Sequence, residues 1–321
     1  MRSTTVGAAL AAILAALFGA VGMAGTAMAA GDPQACKTIK FSDVGWTDIT
    51  ATTATASAVL KGLGDAPHTD VLSVPVTYQS LHNKQVDVFL GNWMPTMEAD
   101  RKPFIDDKTV DVVGTNLTGA KYTLAVPDRI FQEGLKSFSD IAKFKDKLGN
   151  KIYGIEPGND GNRLILGMIK DDKYGLKGFD LVESSEQGML AQVERAEKRN
   201  EPIVFLGWEP HPMNTKFKMD YLAGGDDVFG PNYGGATVLT NVRAGLRSEC
   251  PNLGRFLDQL KFTLPMENQI MGSILFDSQE PDKAAIDWLK ANPAALDGWL
   301  AGVTTLDGQP GLPAVKASLG L

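Results

Sequence analysis

Arg199-Asn200-Glu201-Pro202-Ile203-Val204-Phe205-Leu206-Gly207-Trp208-Glu209-Pro210-His211 leads from a charged helical end, through an apolar run, to Gly, Trp and Pro. Four apolar residues, Ile203–Leu206, between turn-forming neighbours read as a buried strand. Gly207 frees the backbone to turn there, and Pro210 stops the strand from continuing. The same order recurs in Val44-Gly45-Trp46 and in Phe89-Leu90-Gly91-Asn92-Trp93-Met94-Pro95. Around these anchors, short apolar runs alternate with longer helical patterns, the signature of an α/β fold.

Further strands are expected at Thr38–Val44, Val71–Val76, Val86–Leu90, Val110–Val113, Tyr122–Val126, Ile152–Ile155, Leu181–Val182 and Thr237–Val242. Helices are expected at Asp48–Leu63, which Asp48 can cap, at Ser139–Leu148 before Gly149, and at the amphipathic Ser185–Arg199. From Pro251 onward the pattern is almost wholly helical, including Asp282–Ala291 and Ala294–Leu300.

The length of 321 residues suits about two domains, yet no soft linker or repeat of fixed period separates them. Two lobes joined by more than one crossing satisfy both facts. Gly and Pro gather near Thr115–Lys121 and Phe229–Gly235, the expected hinge crossings. Residues 30–117 plus 236–321 then form lobe 1 and residues 118–235 form lobe 2, with a ligand cleft between them.

The net charge of −7, with no basic stripe, argues against nucleic acid as a partner. Three His and two Cys are too few for a dedicated metal cage. Residues 1–29 read as a signal peptide: Arg2, an apolar core from Val6 to Met23, then Ala27-Met28-Ala29 as the cleavage signal. No Cys stands at the cleavage point, so the expected product is free in the periplasm rather than lipid-anchored. An oxidising compartment favours a Cys36–Cys250 disulfide over two buried thiols. Closing so long a loop stabilises a fold by about 4–5 kcal/mol on the chain-entropy model.

In an open α/β sheet the ligand crevice lies outside the carboxyl ends of the strands. Trp46, Trp93 and Trp208 are therefore expected to project from three distant segments into one cleft, with Tyr122 near the hinge. Single Trp residues are mostly core, but three in one setting point to a binding wall. Trp288 and Trp299, at helical spacing among apolar residues, read as core. Converging aromatic faces suit a quaternary ammonium, which has no hydrogen-bond donor of its own. Each such contact contributes roughly 0.5–2 kcal/mol. Four of them with a charged partner supply most of the ~8 kcal/mol of micromolar affinity.

Asp48 has two readings, a helix cap and an acid that balances the cation and accepts from a hydroxyl. A betaine carboxylate within ~4 Å of it would be repelled by about 4 kcal/mol at an effective dielectric of ~20, whereas choline would gain. The turn from Gly154 to Asn162 offers amides to an anion and so favours a betaine. Within it, Asn159 is a neutral partner for a hydroxyl or an ordinary turn residue.

Trp46-x-Asp48, Gly91-Asn92-Trp93-Met94-Pro95, Tyr122, Gly158-Asn159, Ser184-Ser185-Glu186 and the opening stretch through His211 resemble the substrate-binding proteins of glycine betaine/choline ABC importers. The periplasmic choline-binding group fits best. The likeness spans nearly all of the chain after its leader, and Glu-Pro-Ile-Val … Gly-Trp-x-Pro-His is its most specific part. It implies a type II periplasmic binding protein fold, with two lobes, two hinge crossings and closure over the ligand. It also implies a ligand-binding set of Trp46, Trp93, Tyr122 and Trp208 for the trimethylammonium head, with Asp48 and Asn159 at the hydroxyl end. A membrane permease is the implied partner, the working form is a monomer, and neither cofactor nor metal is required.

An enzyme acting on choline esters is the competing class. No G-x-S-x-G elbow, phosphate loop, H-E-x-x-H or C-x-x-C occurs in the chain. His68, His82 and His211 stand in separate polar or Pro-bounded loops and read as surface residues, so no catalytic residue is assigned.

Overall fold

The computed structural model describes Met1 and residues 31–321. The leader expected over residues 1–29 lies, Met1 apart, outside them. The strands are β1 (Thr38–Asp43), β2 (Ala66–Val71), β3 (Val88–Met94), β4 (Val110–Pro127), β5 (Lys151–Tyr153), β6 (Asp180–Val182), β7 (Phe205–Glu209), β8 (Met219–Tyr221) and β9 (Gly235–Arg243). They form one mixed sheet in the order β2-β1-β3-β9-β4-β7-β5-β6, with β8 also on β4.

Each end of this sheet is a parallel wing, β2-β1-β3 on one side and β7-β5-β6 on the other. The antiparallel ladder of β4 and β9 joins them. Over Val110–Lys121, β4 pairs with β9, and over Lys121–Pro127 it turns to β7 and β8. The segments Val110–Val113 and Tyr122–Val126, expected as separate strands, are thus one strand. Its Gly- and Asn-containing middle is absorbed by register shifts against β9 rather than by a loop.

Two expectations fail for local reasons. Val71–Val76 is not a strand: Pro75 opens the helix Val74–His82, and the strand lies earlier, at Ala66–Val71. That segment is a sheet edge, where Pro67 and polar residues are tolerated and apolar alternation is weak. The helix expected at Ser139–Leu148 is only one turn, Phe138–Ile141, followed by a 3-10 turn. The long helix Glu186–Arg199 forms as expected, its first turn capped by Ser185 Oγ accepting from the Gly188 amide.

Helix Thr47–Leu63 connects β1 to β2 and is buried on nearly every side. Its Ala and Thr residues keep it slim enough to pack against the helices Leu264–Leu275, Pro281–Ala291 and Gly311–Leu319. Trp299 is core, but Trp288 is only half-buried, with its indole N–H on Gln269. Cys36 and Cys250 are joined in a disulfide, tying the start of the described chain to the head of helix Pro251–Gln259. Asp32 reinforces the tie by accepting from the Asn252 and Leu253 amides at that same helix end.

Candidate functional site

Three kinds of backbone position present the four aromatic side chains. Trp46 follows Gly45, whose φ of +81° turns the chain out of β1 into helix Thr47–Leu63. Trp93 and Trp208 lie inside β3 and β7, which run on through Gly91 and Gly207 and end just before Pro95 and Pro210. Tyr122 is on β4 directly opposite Trp208 in the antiparallel register. Gly161 lets it come close: a Cβ there would stand 2.1 Å from the Tyr122 hydroxyl oxygen.

Trp46, Trp93, Tyr122 and Trp208 line one cavity together with Asp48 and Ile155. The four rings are only 3–5 % exposed. The Tyr122 ring lies 6.0 Å from Trp93 and 6.3 Å from Trp208, tilted by 59° and 84°. Such angled rings line a cage rather than a stack. Ile155, the apolar member, had no distinguishing signal in the sequence beyond its place in a strand.

Three of the rings are fixed by their polar edges and the fourth by a ring contact. The Trp93 indole N–H donates to Asp48 Oδ2 at 3.1 Å and that of Trp46 to Glu156 Oε1 at 2.9 Å. The Tyr122 hydroxyl donates to Asn159 Oδ1 at 2.9 Å. Trp208 meets the His211 ring edge-on at 4.8 Å. The flat faces are thereby left for whatever occupies the space.

Asp48 does not cap its helix. The helix begins at Thr47 with Trp46 in the cap position, so Asp48 stands inside the first turn with its carboxyl group in the cavity wall. Its Oδ1 is buried and has no hydrogen-bond partner. Burial first, and then the Glu186 charge, push its pKa up to about 8. Burial likewise raises Glu156 to about 7 and Asp160 to about 6, and carries Glu267, which Asp48 also opposes, well above the usual range. Burial leads in each case, so the protonated form of these acids is favoured in the empty site.

Asn159 stands one bond back from the cavity. Its Oδ1 accepts from Tyr122 and from the Asn162 amide, where it caps helix Asp160–Lys170, and its Nδ2 donates to Asp160 Oδ1.

Sequence reading missed Glu156, Glu186 and His211. The structure corrects the surface assignment of His211: it is 1 % exposed and hydrogen-bonded to Glu186, while His68 and His82 are indeed exposed. All three missed residues fall inside quoted motifs, but a single sequence does not reveal which polar residue of a turn faces inward. Among the described residues, the grouping with metal-ligand spacing is Asp32, Cys36 and Cys250, and both its sulfurs are committed to the disulfide.

A curled mixed sheet with parallel wings, an antiparallel join and an aromatic cage where strands from both wings meet defines a periplasmic-type substrate-binding protein. The chain belongs to the family of substrate-binding domains of ABC-type glycine betaine transport systems, whose model matches residues 37–291. It is 64% identical to an ABC-transporter choline-binding protein solved in complex with choline, over 90% of this chain and 100% of that one, with a TM-score of 0.89. Against the unliganded, semi-closed form of an ABC-transporter choline-binding protein, at the same identity and coverage, the TM-score is 0.83. The lactococcal OpuAC, closed on glycine betaine, is 28% identical over 83% of this chain and 100% of that one, with a TM-score of 0.75.

Members of this family are transport binding proteins, not enzymes, and they work outside the cytoplasmic membrane. Among the described residues no helix is long and apolar enough to cross a membrane.

Proposed function

We propose that this protein captures choline in the cage and delivers it to the membrane permease of an ABC importer. Trp46, Trp93, Tyr122 and Trp208 hold the trimethylammonium group by cation–π contact. Asp48 balances its charge and accepts from its hydroxyl through the free Oδ1. Asn159 acts from behind, by orienting Tyr122.

The observation that carries this reading is an unpartnered carboxylate oxygen in the wall of a cavity otherwise lined by aromatic and aliphatic side chains. An acid in that setting calls for a cation with a single hydroxyl. Glycine betaine, the ligand of the lactococcal relative, would bring a second carboxylate to Asp48 and is the weaker candidate.

In this reading residues 30–117 with 236–321, and residues 118–235, are the two lobes that close on the ligand, and β4 and β9 carry the crossings. Export follows cleavage after Ala29, which frees the protein into the periplasm. Calorimetry and Trp fluorescence on addition of choline test the assignment. Saturable binding with a change in indole emission is the expected result, and no binding at millimolar choline overturns it. Turnover of choline or acetylcholine, followed by NMR, would reinstate the enzyme class.

A further inference from the structure

Helix Thr47–Leu63 presents Trp46 and Asp48 to the cage, but it cannot cap itself. Its N-cap residue is Trp46, whose side chain has no oxygen to offer, and no side chain of its own first turn takes the role. The missing acceptor comes from a residue 139 positions away. Glu186 Oε2 accepts from the Thr47 amide at 2.8 Å, and Glu186 Oε1 accepts from Thr47 Oγ1 at 2.6 Å.

Glu186 opens helix Glu186–Arg199 in the other half of the molecule, and His211 holds it in place. The His211 Nδ1 accepts from the Met213 amide at 2.9 Å, so Nε2 carries the hydrogen and donates it to Glu186 Oε1 at 3.1 Å. His211 also packs edge-on against Trp208. Glu186, His211 and Thr47 are all buried, and none of them lines the cavity. One carboxylate therefore connects the segment bearing Trp46 and Asp48 to the segment bearing Trp208, without touching the space where a ligand sits.

We propose that Glu186 is a closure latch: held by His211, it docks on the head of the Thr47 helix and locks the two halves of the cage around the bound cation. The proposal rests on the cation-cage reading above. It identifies Glu186 as a positioning residue that governs ligand release.

Stopped-flow and calorimetric measurements on wild type, Glu186→Gln, Thr47→Val and the double variant test this, with choline and glycine betaine as ligands. Gln keeps the size but loses the charge and one acceptor. Ligand dissociation should quicken about 10–100-fold in Glu186→Gln, with association within about threefold of wild type. Because Glu186 stands outside the cavity, the factor should be the same for each ligand that binds. Thr47→Val should show a smaller effect of the same kind, and the double variant should be no worse than Glu186→Gln alone.

Thermal unfolding of the empty proteins separates the latch from a merely structural role, and it should differ little between wild type and Glu186→Gln. Unchanged dissociation in Glu186→Gln, or single-variant effects that multiply independently, overturns the latch while leaving choline capture intact. Failure of wild type to bind either cation overturns the cage, and the latch with it.

Discussion

Replacing Asp48 by Asn tests the assignment of choline over betaine most directly. A trimethylammonium group in van der Waals contact with a wall that includes Asp48 brings its charge to roughly 5 Å from the carboxyl. At an effective dielectric of ~20, unit charges at that distance interact by about 3 kcal/mol. This attraction is large enough to bring the acid from about 8 in the empty site to below neutrality, so choline meets an ionised Asp48.

Asn keeps an oxygen for the Trp93 indole N–H but places an amide donor where Oδ1 stood, removing both the attraction and the acceptor for the choline hydroxyl. Choline should weaken by about a hundredfold. Glycine betaine loses the same attraction for its ammonium but is freed from a like charge at its carboxylate, and should change little or improve. Calorimetry on both ligands should therefore show the choline-to-betaine affinity ratio falling by about two decades. A ratio that moves less than tenfold, or a wild type that already prefers betaine, would refute the electrostatic reasoning even with the cage intact.

Trp93→Ala and Trp208→Ala should each weaken choline at least tenfold, the loss of one desolvated ring face; fluorescence titration measures this, and unchanged affinity in both would mean the cage is misassigned. Choline affinity should rise between pH 6 and 8 and flatten above. Below its pKa of about 8 in the empty site, Asp48 holds a proton that the cation must expel, at a cost of up to about tenfold per pH unit. Calorimetry in buffers of different ionisation heat should register that proton, and Asp48→Asn should abolish it. Replacing Cys36 and Cys250 by Ser should lower unfolding stability by about 4–5 kcal/mol in denaturant titrations. Choline affinity well below the unfolding midpoint should not change, since neither sulfur lines the cavity.

The α/β class, most strands and the aromatic quartet were legible because each rests on a local pattern. An apolar run leading into Gly and Trp reports both a strand and a ring at its carboxyl end, where the cavity lies. What escaped depends on partners remote in sequence. The expected strand Val71–Val76 ran through Pro75, and only the edge position of β2 explains why the polar Ala66–Val71 pairs instead. Glu186 sits in an ordinary Ser-Ser-Glu helix start, and its second role appears only when Thr47, from the other half, is brought to 2.8 Å. His211 follows Pro210, a context that usually signals an exposed turn, yet packing under Trp208 buries it.

In the choline reading, the buried acids make a cage this apolar selective for charge as well as shape. A neutral isostere of choline would fill the same space and touch the same rings. It would leave Asp48 either protonated or ionised without a counter-charge, and it would do nothing to relieve the opposition between Asp48, Glu186 and Glu267. The aromatic faces reward a cation with roughly 0.5–2 kcal/mol each, and the acids add a term that a neutral molecule cannot collect. In the empty site that crowding is met by protons, and a bound cation replaces the proton on Asp48 with a fixed positive charge. Affinity for a cation therefore carries a pH dependence that affinity for a neutral isostere lacks.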